Sequence, residues 1–201
     1  AFLDLLDAMP KNAWIVLDEA YAEFADQALL PDRVALITEG RRIISVRTFS
    51  KAYGLAGARL GYAIASEEMV TILDTVSEPF NANRVALAGG LAAIREDADA
   101  YQAAVRLIKS DRHVTTQRLN NLGLRVIPSH ANFLMFETPL KSSIMFDRLL
   151  HRGIITRSGD IWGCENMIRV SVGRTDEMER FIDAVVDILK ELEEYKFCRI
   201  Q

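Results

Sequence analysis

The chain opens on apolar residues at helical spacing, Phe2, Leu3, Leu5 and Leu6, which predict a helix end closed by Pro10. Trp14-Ile15-Val16-Leu17 is a continuous apolar run ending at Asp18, the pattern of a strand buried on both faces. A polar loop with Asp26, Gln27 and Pro31 leads to a short helix near 32–39 that Gly40 ends. Ile43-Ile44-Ser45-Val46 predicts a second buried strand, and Gly61-Tyr62-Ala63-Ile64-Ala65 a third. Met69, Val70, Leu73 and Val76 give residues 66–77 helical spacing, which Pro79 breaks. A long helical region then runs from about 83 to 121, with a break near Asp97–Asp99. Strands separated by helical segments predict an α/β arrangement with a largely parallel sheet.

After Gly123 the texture changes. Leu124-Val126-Ile127 and Asn132 to Phe136 predict short strands, and residues 140–151 a helix. Gly153-Ile154-Ile155-Thr156 and Met167 to Val172 predict two more strands. A final amphipathic helix carries Met178, Phe181, Ile182, Val185, Ile188, Leu189 and Leu192 on one stripe, with Thr175 as its N-cap. This part is a small α+β lobe, with the boundary near 115–123. The domains are therefore expected to be 1–118 and 119–201.

Half of the 201 residues are hydrophobic, enough for a real core, so disordered and fibrous classes are excluded. The charge balance, 24 basic against 28 acidic residues, is −4 and forms no basic stripe, so nucleic acid is not an expected partner. Cys164 and Cys198 are far apart and carry no CxxC spacing, and His113, His130 and His151 form no ligand motif, so no metal is expected. No apolar run reaches the roughly 18 residues of a membrane span, and no signal peptide opens the chain. A reducing, cytoplasmic setting follows as the expectation.

The densest chemistry lies in Thr48-Phe49-Ser50-Lys51-Ala52-Tyr53-Gly54-Leu55-Ala56-Gly57-Ala58-Arg59-Leu60-Gly61. A buried strand delivers two hydroxyls and a lysine at its carboxyl end, where α/β proteins place ligands. Arg59 offers the planar fork of donors that suits a phosphate, and a lysine near a cation is easier to deprotonate for Schiff-base chemistry. From spacing alone, Lys51 as a solvated loop residue and Arg59 as a surface charge remain open. The second cluster is Asp18-Glu19-Ala20-Tyr21, again at a strand end, where an acid serves as a helix cap or as the partner of a buried cation, and a plain loop carboxylate remains open.

Together, VLDEAYAEF and RTFSKAYGLAGARLGYAIA resemble the fold-type I pyridoxal-phosphate aminotransferases, in their histidinol-phosphate aminotransferase branch. The resemblance continues through Pro79-Phe80-Asn81-Ala82-Asn83, Ala131-Asn132-Phe133-Leu134, RGIITRSG and MIRVSVG, in the family's order. It implies part of the large domain, a mostly parallel sheet with helices, followed by a small C-terminal α+β domain. It also implies Lys51 as the residue that carries pyridoxal phosphate covalently and then moves the proton between substrate and cofactor. Asp18 would pair with the pyridine nitrogen, and Tyr21 would hydrogen-bond the ring's 3-oxygen. Thr48, Ser50 and Arg59 would contact the cofactor phosphate. Arg169 would clamp the substrate carboxylate, and Arg157, at the end of the predicted 153–156 strand, would meet the phosphate of histidinol phosphate.

The implied reaction is transamination between histidinol phosphate and glutamate, with 2-oxoglutarate among the keto partners. The alternatives are an aromatic-amino-acid transaminase, a threonine-phosphate decarboxylase, or a non-catalytic, self-associating fragment. The family's N-terminal half has no counterpart before Asp18, so the chain is expected to be the C-terminal part of a longer protein. On its own it is expected to be inactive and to form a homo-oligomer.

Overall fold

The apolar run before Asp18 forms β1 (Ile15–Asp18), which pairs in parallel with β2 (Ile43–Thr48), Ile15 opposite Ile43 and Asp18 opposite Val46. β3 (Gly61–Ile64) runs antiparallel to β2, with Arg47 opposite Tyr62 and Thr48 opposite Gly61. The reversal follows from the connection. Residues 49–60 hold a turn of 3-10 helix but no crossover helix, which a parallel return requires. The computed structural model describes residues 2–198. It divides into two units, 1–104 and 105–201, and the division falls inside the long helix α5 (Ala98–Asn121).

In the first unit, α1 (Phe2–Ala8) and α2 (Arg33–Thr38) cover the sheet. Leu6, Leu36 and Ile43 form the buried cluster there, with Phe2, Ile15, Leu17 and Ile37 packed against it. Asp32 caps α2 by accepting the Ala35 N–H at 3.1 Å. Successive strand residues point to opposite faces, so this packing covers the side of Ile15, Leu17, Ile43 and Ser45. On the other side Val16 is 64% exposed and Asp18 is exposed. The expectation of strands buried on both faces is thus corrected: among the described residues, one face is covered and the other is open.

α3 (Glu67–Val76) and α4 (Arg84–Arg95) follow, capped by the side chains of Ser66 and Asn83. Phe49, Leu60 and Ala86 form a second buried cluster, which seats the 49–60 connection on α4. The seat is close. A Cβ on Gly90 would stand 2.5 Å from the Leu60 Cδ2 and 3.5 Å from the Phe49 ring, so these two side chains pack directly on the helix backbone at the glycine.

The second unit is a four-stranded antiparallel sheet in the order β4 (Val126–Ile127), β5 (Phe133–Glu137), β7 (Met167–Ser171), β6 (Arg157–Ser158). α6 (Ser142–His151) and α7 (Thr175–Cys198) pack on one face, where Leu134, Phe136, Ile168 and Val170 meet Met145, Leu149 and the Phe181, Ile182, Val185, Ile188 stripe. Phe136 and Phe181 meet edge to face at 5.9 Å. Cys164 is a free thiol, and the side chain of Cys198 lies outside the described residues.

Two local expectations are corrected in this unit. Residues 153–156 do not form a strand: Gly153, at φ +76°, turns the chain out of α6, and the Ile154 N–H bonds back to Leu149. The strand begins at Arg157, which therefore lies in β6 rather than after a strand. Thr175 is also not the N-cap of α7. It is the first helical residue, and Glu177 accepts the Arg174 N–H at 2.8 Å, the returning half of a capping box. The Thr175 hydroxyl donates instead to the buried Asp111 carboxylate at 3.0 Å.

Phe181→Ala is expected to destabilise the protein by about 3–5 kcal/mol through loss of a buried ring, read by urea unfolding. Ile155→Ala, at a position 81% exposed, is expected to change stability by no more than about 0.5 kcal/mol.

Candidate functional site

At the carboxyl ends of β1 and β2, alternation decides which side chains reach the open face. Asp18 does, and its carboxylate accepts the Ala20 N–H at 2.9 Å, fixing the turn that leads to Tyr21. Thr48 ends β2 on the same face, and its hydroxyl accepts the Ser50 N–H at 3.0 Å. Lys51 follows on a turn closed by the Gly54 N–H to the Lys51 carbonyl, with Gly54 at φ +69°. Its neighbours explain why it faces outward. Phe49 and Ala52 are buried anchors on either side, which leaves Lys51 exposed, with Nζ 5.5 Å from the Tyr21 ring. Arg59 closes the connection at φ +54°, a left-handed conformation uncommon for a residue with a side chain. Its guanidinium donates to the Ala56 carbonyl at 2.9 Å.

Tyr53 packs between Phe49, at 5.0 Å, and Tyr101, at 4.6 Å between ring centroids. Burial raises its phenol to about 12, and the adjacent Tyr101 adds to the shift. Its ring packs against the Phe49, Leu60 and Ala86 cluster and so helps seat the lysine loop.

The opposite face of the same strands carries a buried ionic cluster that residue spacing did not single out. Glu19 continues β1 by donating its N–H to the Val46 carbonyl, and its side chain points to the covered face, 4% exposed. Its Oε2 accepts from the Ser45 hydroxyl and lies 2.9 Å from Arg33 Nε and 3.7 Å from Arg47 Nε. The arginine contacts are ion pairs rather than aligned hydrogen bonds, since both Nε atoms lack a hydrogen-bond partner. Arg47 also lies 3.6 Å from Glu23. Burial opposes the Arg47 charge, but hydrogen bonding to Tyr62 and the two carboxylates together hold it above its ordinary value. Glu19, not Asp18, is the acid that partners buried cations. Parity was the available signal: Glu19 shares it with Ile15 and Leu17, as Ser45 and Arg47 do with Ile43.

In the second unit the register places Arg157 of β6 directly opposite Arg169 of β7. Two cations at one cross-strand position repel, unless an anion lies between them. Arg169 sits on the sheet face away from the Ile168 and Val170 core, and its Nε is buried without a hydrogen-bond partner. The Phe133 ring lies 4.1 Å from its guanidinium carbon and the Trp162 ring 5.9 Å, two neighbours the sequence did not announce. Arg157 is exposed. The structure therefore gathers the predicted residues into two groups: Asp18, Tyr21, Thr48, Ser50, Lys51 and Arg59 around one sheet's strand ends, and Arg157 with Arg169 on the other sheet.

Residues 1–185 match the family described as aminotransferase class I and II, and the chain belongs to that family. It is 38% identical over 193 residues to the histidinol-phosphate aminotransferase of Desulfotalea psychrophila, covering 94% of this chain and 51% of that protein. Histidinol-phosphate aminotransferase 2 of Carboxydothermus hydrogenoformans is likewise 38% identical over 188 residues, covering 93% of this chain and 52% of that protein. Among solved structures, the Sinorhizobium meliloti histidinol-phosphate aminotransferase in complex with pyridoxal-5'-phosphate superposes with a TM-score of 0.83 at 31% identity, over 95% of this chain and 52% of that one. The L-threonine-O-3-phosphate decarboxylase of Porphyromonas gingivalis shares the fold, with a TM-score of 0.81 at 24% identity over 94% of this chain and 58% of that one. The architecture is that of part of a fold-type I aminotransferase, and the chain spans about half the length of the curated relatives it matches. No helix among the described residues is long and apolar enough to cross a membrane.

The two adjacent acids are expected to separate cleanly on substitution. Glu19→Ala should cost about 3–5 kcal/mol, because buried guanidinium groups lose their carboxylate. Asp18→Ala, with one exposed backbone hydrogen bond at stake, should cost about 1 kcal/mol. Urea unfolding of both variants measures this, and equal losses would contradict the assignment of faces.

Proposed function

We propose that the protein to which this chain belongs transfers the amino group of histidinol phosphate to 2-oxoglutarate, giving imidazole-acetol phosphate and glutamate, or runs the reverse, with pyridoxal phosphate as its cofactor. The observation that carries the reading is a shared address. Asp18 ends β1 on the open face, Lys51 is exposed on the turn after β2, and the Tyr21 ring lies 5.5 Å from the Lys51 amine.

This donor set suits the cofactor. An exposed primary amine can condense with its carbonyl, and a carboxylate, a phenol, two hydroxyls and a guanidinium complement its ring and phosphate. Pyridoxal phosphate, when bound, supplies an electron sink for the charge that develops at the substrate Cα. The Asp18 carboxylate would keep a proton on the ring nitrogen, and the Tyr21 hydroxyl would donate to the 3-oxygen. Thr48, Ser50 and Arg59 would hold the phosphate. Lys51 Nζ would anchor the cofactor and then carry the proton taken from the substrate Cα.

Arg169 and Arg157 supply the substrate side. Their cross-strand pairing supports recognition of two different anions: a carboxylate bound in bidentate fashion by Arg169, and the phosphate of histidinol phosphate by Arg157. A substrate carrying both anions at once, such as threonine phosphate, would also occupy the pair, which makes decarboxylation of such a substrate the second reading. An aromatic-amino-acid transaminase would leave Arg157 without a phosphate to bind. Product analysis with histidinol phosphate, threonine phosphate and phenylalanine separates the three.

Incubation with pyridoxal phosphate, borohydride reduction and peptide mapping are expected to place the pyridoxyl group on Lys51. A label on Lys11, Lys109 or Lys141 would contradict the reading. In the cofactor-loaded protein, Arg157→Ala is expected to weaken histidinol phosphate by about 1 kcal/mol, the upper range of an exposed ion pair, and glutamate far less.

A further inference from the structure

Arg169 stands in the middle of β7 with Met135 opposite on one side and Arg157 on the other. Among the described residues no ion pair is formed by Arg169, and its Nε is buried without a hydrogen-bond acceptor. What surrounds the guanidinium is aromatic. Phe133 lies on β5 two residues from Met135, so alternation puts it on the same face, and its ring centroid is 4.1 Å from the guanidinium carbon. Trp162 approaches from the turn after β6, at 5.9 Å.

That turn is pinned. Asp160 accepts the Ser142 hydroxyl of α6 at 2.7 Å and the Ser158 hydroxyl at 2.8 Å, bonds that hold its carboxyl below the usual range. Gly159 fits where a Cβ would stand 2.3 Å from the Cys164 carbonyl, and Gly163 leaves the turn at φ +70°. Trp162 is therefore set by its backbone, not by chance contact.

A ring face attracts a cation through its quadrupole and leaves the N–H donors unused, whereas a carboxylate partner would occupy them. We propose that Trp162, together with Phe133, is a positioning residue for Arg169, holding the guanidinium by its faces so that its terminal N–H groups stay available to a substrate carboxylate. This deepens the substrate reading above and rests on Arg169 being the carboxylate receptor.

The probe is glutarate, a dicarboxylate with no amine or keto group to react. In Trp14→Phe, Trp162 is the sole tryptophan, since the chain has two, and its fluorescence should change saturably with glutarate. By calorimetry, Trp162→Leu should bind glutarate about two- to fivefold more weakly, the size of an exposed cation–π contact, while Trp162→Phe stays close to the parent. Melting temperature and circular dichroism check that each variant is folded. Independently of any ligand, the Arg169 Nε–H proton should resonate upfield, shifted by the rings, and should move back in Trp162→Leu. An unmoved resonance, or a leucine variant that binds as tightly as the parent, overturns the positioning role. Absence of glutarate binding in the parent, or unchanged binding in Arg169→Ala, overturns instead the reading of Arg169 as the receptor, and the resonance then decides the positioning role alone.

Discussion

The two-residue period of an extended strand governs where the chemistry of this protein lies. On β1 it sends Ile15, Leu17 and Glu19 toward α1 and α2, and Val16 and Asp18 to the open side. On β7 it buries Ile168 and Val170 and turns Arg169 to the other face, beside Phe133 and opposite Arg157. A slip of one residue in either strand would exchange the structural set for the chemical one. In both units, the face packed on helices secures the register and the opposite face carries the groups that can meet a ligand.

What secures the register differs between the units. The second relies on interlocked apolar side chains, with Phe136 and Phe181 at the centre and α7 supplying one stripe. The first has few buried apolar residues at its strand ends and relies on Glu19 instead. One carboxylate joins β1, β2 and the start of α2 through Ser45, Arg47 and Arg33. Taking such a group from water is costly, and its partners must offset that cost. The outcome is a cross-linked corner on the face opposite Asp18, in the same unit as the loop that Phe49 and Leu60 seat on α4.

Much of this was legible in the sequence. The apolar runs predicted β1 to β5 and β7, and helical spacing predicted α1 to α7, because those elements bury a face and so carry a period. The lysine loop stood out because its hydroxyls, glycines and arginine are concentrated in a few residues. The departures share one cause: they depend on partners distant in sequence. Gly153 to Thr156 has strand-forming residues, yet the helix-ending turn claims the first two, and pairing with β7 begins at Arg157. Thr175 has the chemistry of a cap, yet Asp111 takes its hydroxyl. Glu19 looked like a companion of Asp18, and its burial follows from Arg33 and Arg47, which no local pattern announces. Trp162 reaches Arg169 only through a turn pinned by Ser142.

Carbodiimide labelling of the carboxylates in the folded protein, read residue by residue in the peptide that contains Asp18 and Glu19, tests the division of faces most directly. The two adjacent carboxylates differ chiefly in the face they occupy and the partners they meet there. Rapid modification of Asp18 and protection of Glu19 until the protein unfolds are expected. Equal labelling of the two, or modification of Glu19 ahead of Asp18, would contradict the division of faces.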